Sequence, residues 1–334
     1  MRLIIRADAP PHMGAGHVMR CMALALAAKA QGLDVCMACR IDIRWLRERL
    51  SKENLEVVFL DGQPHGKEDP ETLLQHLALS AQGVEASRCR VVLDGYHFDH
   101  ACQQAVCNAG YKLLVIDDYN HLPEYHCDIL LNQNLGAEDY AYKGNIGQKL
   151  LGLRYLLLRP EFAAARAKAD ARELPETPQK ILLTLGGGDF SEHLRELVPC
   201  LGVPEMQGRT LRVITGAMPA ETIRASLRDC PADIELLQNV EDIPALLLDT
   251  DLCISAGGST CWELCCLRVP FLTVEVADNQ KGIVAKLAES TLAPRFSREA
   301  FGRMLQSNNH ERRKAMAAQV GCAGAQAVLE VLGT

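Results

Sequence analysis

The chain has 334 residues and a formal net charge of -7, with 48% hydrophobic and 23% charged residues. That length exceeds one ordinary core and suits two domains, each burying its own. The acidic balance leaves no broad basic field for nucleic acid, so an anionic ligand has to be held by local devices such as glycine-loop amides, helix N-termini or single arginines.

The opening run Met1-Arg2-Leu3-Ile4-Ile5-Arg6-Ala7-Asp8 is too short in apolar residues for a signal peptide. No stretch is read as the roughly 18 apolar residues that a membrane span needs. A cytoplasmic protein without a membrane partner is expected. Short apolar runs then alternate with longer amphipathic ones, which predicts parallel sheets wrapped by helices. Strands are predicted at 3–6, 35–38, 57–60, 91–93, 113–116 and 129–131, with helices at 17–31, stopped by Gly32, and at 70–82. The charged, proline-containing segment 166–179 reads as a linker, or as an exposed helix followed by one. Strands resume at 181–185, 211–214, 234–237, 252–254 and 271–274, with helices at 260–267 and 279–289 and a terminal amphipathic helix at 310–332. The domain break falls within 150–178, and residues 1–160 and 161–334 are taken as two Rossmann-like domains. Two doubly wound halves facing one another would leave a cleft at the carboxyl ends of both sheets. The 14 cysteines are scattered, and Cys36-Met37-Ala38-Cys39 is a lone C-x-x-C on a predicted strand. They read as reduced, small hydrophobic residues.

Each half carries a glycine-rich turn after its first strand: Met13-Gly14-Ala15-Gly16-His17, and Gly186-Gly187-Gly188-Asp189. Gly14 and Gly16 let the backbone approach an anion, and the following helix presents free N–H groups. A purely structural strand–helix turn fits those residues equally well. No third glycine completes a dinucleotide fingerprint, and no Gly-Lys-Ser/Thr makes a P-loop. His17 adds a chemical group. In the first helical turn the dipole disfavours imidazolium, so a neutral ring is poised to take a proton from water, with Arg20 beside it. Farther on, Ile254-Ser255-Ala256-Gly257-Gly258-Ser259-Thr260-Cys261-Trp262-Glu263 ends a buried strand in a small-residue loop. Its amides suit a diphosphate and Glu263 suits ribose hydroxyls. A capping arrangement, with Ser259 or Thr260 as cap and Glu263 completing the box, fits the same spacing.

The run Arg6-Ala7-Asp8 to Gly14-Ala15-Gly16-His17-Val18-Met19-Arg20-Cys21 resembles the opening of the UDP-sugar hydrolases of pseudaminic acid biosynthesis, which act on UDP-2,4-diacetamido-2,4,6-trideoxy-β-L-altropyranose. The resemblance continues through Asp94-Gly95-Tyr96, Val115-Ile116-Asp117-Asp118, Leu131-Asn132-Gln133-Asn134 and Leu156-Leu157-Leu158-Arg159-Pro160-Glu161-Phe162. It resumes at Leu185-Gly186-Gly187-Gly188-Asp189, at Gly257-Gly258-Ser259-Thr260-Cys261-Trp262-Glu263 and at Asp278-Asn279-Gln280. The second half is also similar to the nucleotide-binding half of the lipid-II-forming N-acetylglucosaminyltransferase.

The resemblance implies a GT-B architecture and metal-independent hydrolysis with inversion at the anomeric carbon. By match, His17 is the base that activates water. Tyr96 lies near the sugar, and Arg159 and Asn279, followed by Gln280, contact substrate. Glu263 takes the ribose, Gly257, Gly258, Ser259 and Thr260 take the phosphates, and the backbone at Val240 takes the uracil edge. Gly14, Gly16, Arg20 and Gly187 complete the expected substrate contacts. A monomer with a UDP-sugar as its partner, and no cofactor, is expected. His97, His100, His121 and His126 can be imagined as a metal site, but loop histidines are common and the implied chemistry needs no metal. Asp117 and Asp118 end a strand and read as structural. Two alternatives stay open: a GT-B glycosyltransferase using a UDP-sugar donor, and a non-catalytic nucleotide-sugar binding protein.

Overall fold

A computed structural model of the chain describes residues 1–9, 14–62, 66–187 and 189–333. Met13 and Gly188, from the two glycine-rich turns, lie outside the described residues. The chain divides into two compact units, Met1–Pro160 with Gly321–Thr334, and Glu161–Val320.

The first unit is built on β1 (Arg2–Ala7), β2 (Asp34–Cys39), β3 (Glu56–Phe59), β4 (Cys89–Asp94), β5 (Lys112–Ile116), β6 (Tyr125–Asn132) and β7 (Gly144–Leu151). All are parallel, in the order β3-β2-β1-β4-β5-β6-β7. Strands covered on both faces read as continuous apolar runs, and the side-chain period of two divides them. Leu3, Ile5, Met37 and Val92 face one core with Val18 and Met22 of the helix Gly16–Ala30. Ile4, Val91 and Leu93 face the other with Leu73 and Leu77 of the helix Pro70–Ala81.

The second unit has β8 (Lys180–Thr184), β9 (Thr210–Ile214), β10 (Asp233–Leu237), β11 (Leu252–Ala256) and β12 (Phe271–Val274), parallel in the order β10-β9-β8-β11-β12. Ile181, Leu183, Leu211, Val213 and Ile254 pack there with Leu194, Leu197 and Phe301.

The structure departs from the sequence reading in four places. β7 was not anticipated, because Gly-Asn-Ile-Gly-Gln-Lys-Leu-Leu is polar and twice interrupted by glycine. Those glycines let this edge strand lie against β6: a Cβ on Gly144 would run into the Tyr125 backbone, and one on Gly147 would meet Asp128 O at 2.6 Å. The segment expected as a linker is helical over Pro160–Ala171, with Phe162, Ala165 and Ala169 buried.

The terminal stretch is two helices, His310–Gln319 and Gly324–Leu332, because Val320 is extended (φ -115°, ψ 114°). The second of these belongs to the first unit, which corrects the expected 161–334 domain. Gly324 permits that docking, since a Cβ there would strike Tyr155 and Leu156, and Val328, Leu329 and Leu332 are buried in the first core. Finally, His310–Leu332 is, by length and a mean hydropathy of 1.3, apolar enough to cross a membrane, contrary to the sequence reading. The break at Val320 and the burial of its second half account for that apolar character.

Cys36 and Cys39 lie on β2, where burial pushes their thiols up to about 11 and about 12. Both stay protonated and pack as small apolar groups.

Candidate functional site

In the first sheet the strand order reverses between β1 and β4, so the connections that leave their carboxyl ends diverge and open a crevice, the usual ligand position in doubly wound sheets. β1 leads through Gly14 (φ +72°) into the helix that carries His17 in its first turn. β4 ends at Asp94, which pairs in register with Ala7 of β1. The two connections therefore meet, and His17 Nδ1 lies 2.7 Å from Asp94 Oδ1. Gly95 makes the tight exit possible: its φ is +153°, and a Cβ would meet His97 Cε1 at 2.6 Å.

Arg20, one turn along the same helix, binds two carboxylates. Its Nε and Nη2 donate to Asp94 Oδ2 and Oδ1, both at 2.7 Å. Its Nη1 and Nη2 donate to Asp118 Oδ1 and Oδ2 at 2.6 and 2.9 Å. Asp118 also accepts from Tyr96 OH at 2.8 Å and Asn134 Nδ2 at 2.9 Å, and the Cys21 thiol lies 3.3 Å from Asp94 Oδ2. The Tyr96 ring meets His17 edge-on at 5.0 Å.

Burial alone would raise both carboxyl groups. The Arg20 charge, joined by His17, outweighs it and holds Asp94 and Asp118 below their ordinary range. Both are anions, so Asp94 only accepts, and the His17 proton sits on Nδ1. The neutral ring then presents a lone pair at Nε2. One guanidinium stands against two carboxylates, so an imidazolium formed at His17 lies directly against compensating charge. This is the orienting role of the acid in a His–Asp pair.

The sequence-predicted residues are therefore treated differently by the fold. His17, Arg20 and Tyr96 come together, and Gly14 and Gly16 lead into them. The bonds of Arg20 run inward to Asp94, Asp118 and His17 instead of outward to a ligand. Arg159 is buried, at the end of a segment braced by Leu157 N–H donating to Gln133 Oε1. Asp94 and Asp118 carried no assigned role in the sequence reading. Their signal was an acidic residue at the carboxyl end of a wholly apolar strand, a position that doubly wound sheets reserve for ligands.

The four histidines imagined as a metal site do not converge. His121 bonds Asp117, His100 stacks against His126, and His97 Nε2 lies 3.0 Å from Asp8 Oδ2. Asp8, Glu68 and His97 do bring ligand atoms within 4.8 Å of one another. However, Arg6 bonds Asp8 and Glu68, and Arg40 bonds Glu68 as well. Two guanidinium groups already neutralise the two carboxylates, and a dication would leave buried positive charge in excess. The cluster reads as an ion-pair network.

In the second sheet the order reverses between β8 and β11. The turn after β8 holds Gly186 (φ +100°) and the exposed Gly187. The turn after β11 is Gly257-Gly258-Ser259, and the helix Thr260–Cys266 follows with no side-chain cap at Ser259. The capping alternative is thus not realised at Ser259. Gly257 N–H donates to Gln280 Oε1 at 3.2 Å and to Val274 O at 3.0 Å, and Val276 N–H reaches the same Gln280 oxygen at 3.1 Å. Gln280 therefore braces the turn. A Cβ on Gly257 would collide with Val284. Glu263 lies in the first turn of its helix, and Asn279 in the short turn before the helix Lys281–Glu289. Val240 follows the left-handed Asn239 (φ +52°) at the end of β10, two strands from β8.

Two Rossmann-like parallel sheets in one chain define an α/β fold of the GT-B class. Among solved structures, MurG of Acinetobacter baumannii matches with a TM-score of 0.70 over 99% of both chains at 16% identity. No family model matches the chain. Among curated proteins, it is 26% identical to the spore coat polysaccharide biosynthesis protein SpsG of Bacillus subtilis over 54% of this chain. The match spans about half of that relative, 54% of its length. The chain is also 24% identical to the UDP-2,4-diacetamido-2,4,6-trideoxy-beta-L-altropyranose hydrolase of Campylobacter jejuni, over 86% of this chain and 97% of the relative.

Proposed function

We propose that the protein is a cytoplasmic, metal-independent UDP-sugar hydrolase, with UDP-2,4-diacetamido-2,4,6-trideoxy-β-L-altropyranose as the substrate suggested by the Campylobacter relative. The observation that carries the reading is the 2.7 Å contact between His17 Nδ1 and Asp94 at the switch point of the first sheet. It fixes the tautomer that leaves Nε2 able to take a proton.

His17 Nε2 takes a proton from water as that water forms a bond to the anomeric carbon. The bond from that carbon to the UDP oxygen breaks, and its electron pair leaves with UDP, so the sugar configuration inverts. Asp94 stabilises the imidazolium formed. UDP leaves as an anion and needs no proton, so one base is enough. In the second unit, Gly257, Gly258, Ser259 and Thr260 offer amides to the phosphates, with Gly187 on the neighbouring turn. Glu263 is assigned the ribose, Val240 the uracil edge, and Asn279 and Arg159 further substrate contacts. Gln280 supports the turn.

The test is release of UDP from a panel of UDP-sugars with no acceptor present, with and without EDTA. Release that survives EDTA supports the reading. Release only when an acceptor is added points instead to a glycosyltransferase, in which His17 would deprotonate an acceptor hydroxyl. The MurG-like fold is the observation that favours that second reading. Hydrolysis in ¹⁸O-water should label the sugar C1 oxygen, and label in UDP would mean attack at phosphorus.

A further inference from the structure

A second Asp–His pair lies beside the first. After β5, Asp117 is fully buried and accepts from Tyr125 OH at 2.8 Å, Tyr142 OH at 2.7 Å and Asn120 N–H at 2.6 Å. Its Oδ1 lies 2.5 Å from His121 Nδ1. Burial pushes Asp117 up, but the bonds from His121 and Tyr142 prevail and hold it at about 2. As an anion it only accepts, so the His121 proton sits on Nδ1 and the neutral ring has its lone pair at Nε2.

That Nε2 is buried and has no hydrogen-bond partner among the described residues, and the side chain is 8% exposed. A buried acceptor left unmet costs about 1–3 kcal/mol. The His121 ring packs on Tyr96 at 5.1 Å, and Tyr96 packs in turn on His17. Tyr119, 37% exposed, joins the same wall at 5.1 Å from Tyr96 and 5.8 Å from His121. One tyrosine ring thus separates the proposed base from a second fixed imidazole, within an aromatic surface that offers few polar atoms. That composition is typical of small-molecule sites.

We propose that His121 is a specificity residue for the sugar: its Nε2 accepts a hydrogen bond from an N–H or O–H of the sugar, whose C–H face rests on Tyr96 and Tyr119. The inference rests on the UDP-sugar reading of the site. The reaction needs only one base, and an imidazole whose proton is fixed on Asp117 suits recognition better than proton transfer. Leaving this acceptor unmet discriminates against sugars that lack the donor.

His121→Asn separates recognition from structure, because its amide still donates to Asp117 while Nε2 is gone. The KM for a UDP-sugar should rise about tenfold with kcat and the Kd for UDP unchanged. An unchanged KM would mean that His121 only holds Asp117 in place, and would overturn the proposal. Should the variant fail to fold, the ¹⁵N shift of His121 Nε2 in the His17→Phe protein decides. It should move on addition of the intact UDP-sugar but not of UDP, and a signal indifferent to the sugar would overturn the proposal. UDP-sugars that differ only in an N-acyl or hydroxyl substituent identify the donor by which one loses affinity in His121→Asn. If the wild-type protein releases no UDP from any UDP-sugar, the parent reading fails and this one with it. Release with an unaltered KM in the variant removes this one alone.

Discussion

Both sheets reverse their strand order once, and both place glycine-rich turns at the reversal, yet the two turns are furnished differently. In the first unit the turn after β1 runs into fixed charges: Arg20, Asp94 and Asp118 interlock around His17. In the second unit the turn after β11 consists of small residues held by neutral hydrogen bonds to Gln280 and Val274. A group that takes a proton from water needs its tautomer fixed and its new charge compensated, which requires buried ions. A turn that receives a diphosphate needs bare amides and close backbone approach, which requires the absence of side chains. The proposed function assigns chemistry to the first turn and grip to the second, and that division can be broken by substitution.

The largest effect is expected at His17. His17→Phe should lower turnover by about 10²–10⁴-fold, the scale of a lost general base, and leave the Kd for UDP unchanged by calorimetry. Near-wild-type turnover would take the chemistry away from the first turn. Asp94→Asn should cost less, about 10²-fold in kcat, because the ring remains but its tautomer is no longer imposed. A variant that lost UDP affinity instead would blur the contrast between the units. Both substitutions are read alongside a thermal melt, since Asp94 also pairs with Arg20.

The same asymmetry sets a pH dependence of stability. Asp94, Asp117 and Asp118 are buried in the first unit, with folded-state values below the ordinary carboxylate value. Their stabilisation is complete above the unfolded value and is lost as pH falls through the folded one. For Asp117 the window runs from 3.8 down to about 2 and represents about 2 kcal/mol. Hydrogen exchange at pH 5 and pH 3 should show β4 and β5 losing protection before β8 and β11. Simultaneous loss in both sheets would show that these carboxylates do not set the acid limit.

Much of this contrast was legible in the residues. Central strands are buried on both faces, so their apolar runs stand out, and His17 is marked by its place after a glycine turn. The partners of His17 were not legible, because Asp94 lies 77 residues away and becomes its neighbour only through the pairing of β1 with β4. Arg20 suited an anion until the structure gave it two carboxylates. β7 was hidden by the glycines that let it approach β6. The helix Gly324–Leu332 has a clear apolar face, but nothing local tells it which of two sheets to cover.

The smallest effect tests the second turn alone. A Cβ on Gly257 would press on Val284 and lie 3.3 Å from Gln280 Cβ, so Gly257→Ala pushes the turn away from the helix Lys281–Glu289. Overpacking of this kind costs about 1–3 kcal/mol, and the Kd for UDP should rise about tenfold while kcat at saturation holds. Gly187 is the control, because no atom lies within 4 Å of a Cβ built there. Gly187→Ala should leave the melting temperature unchanged, so any loss of UDP affinity in it reports contact with the ligand and not damage to the fold. If Gly257→Ala lowers kcat while UDP binds as before, grip and chemistry are not divided between the turns, and the second one takes part in catalysis.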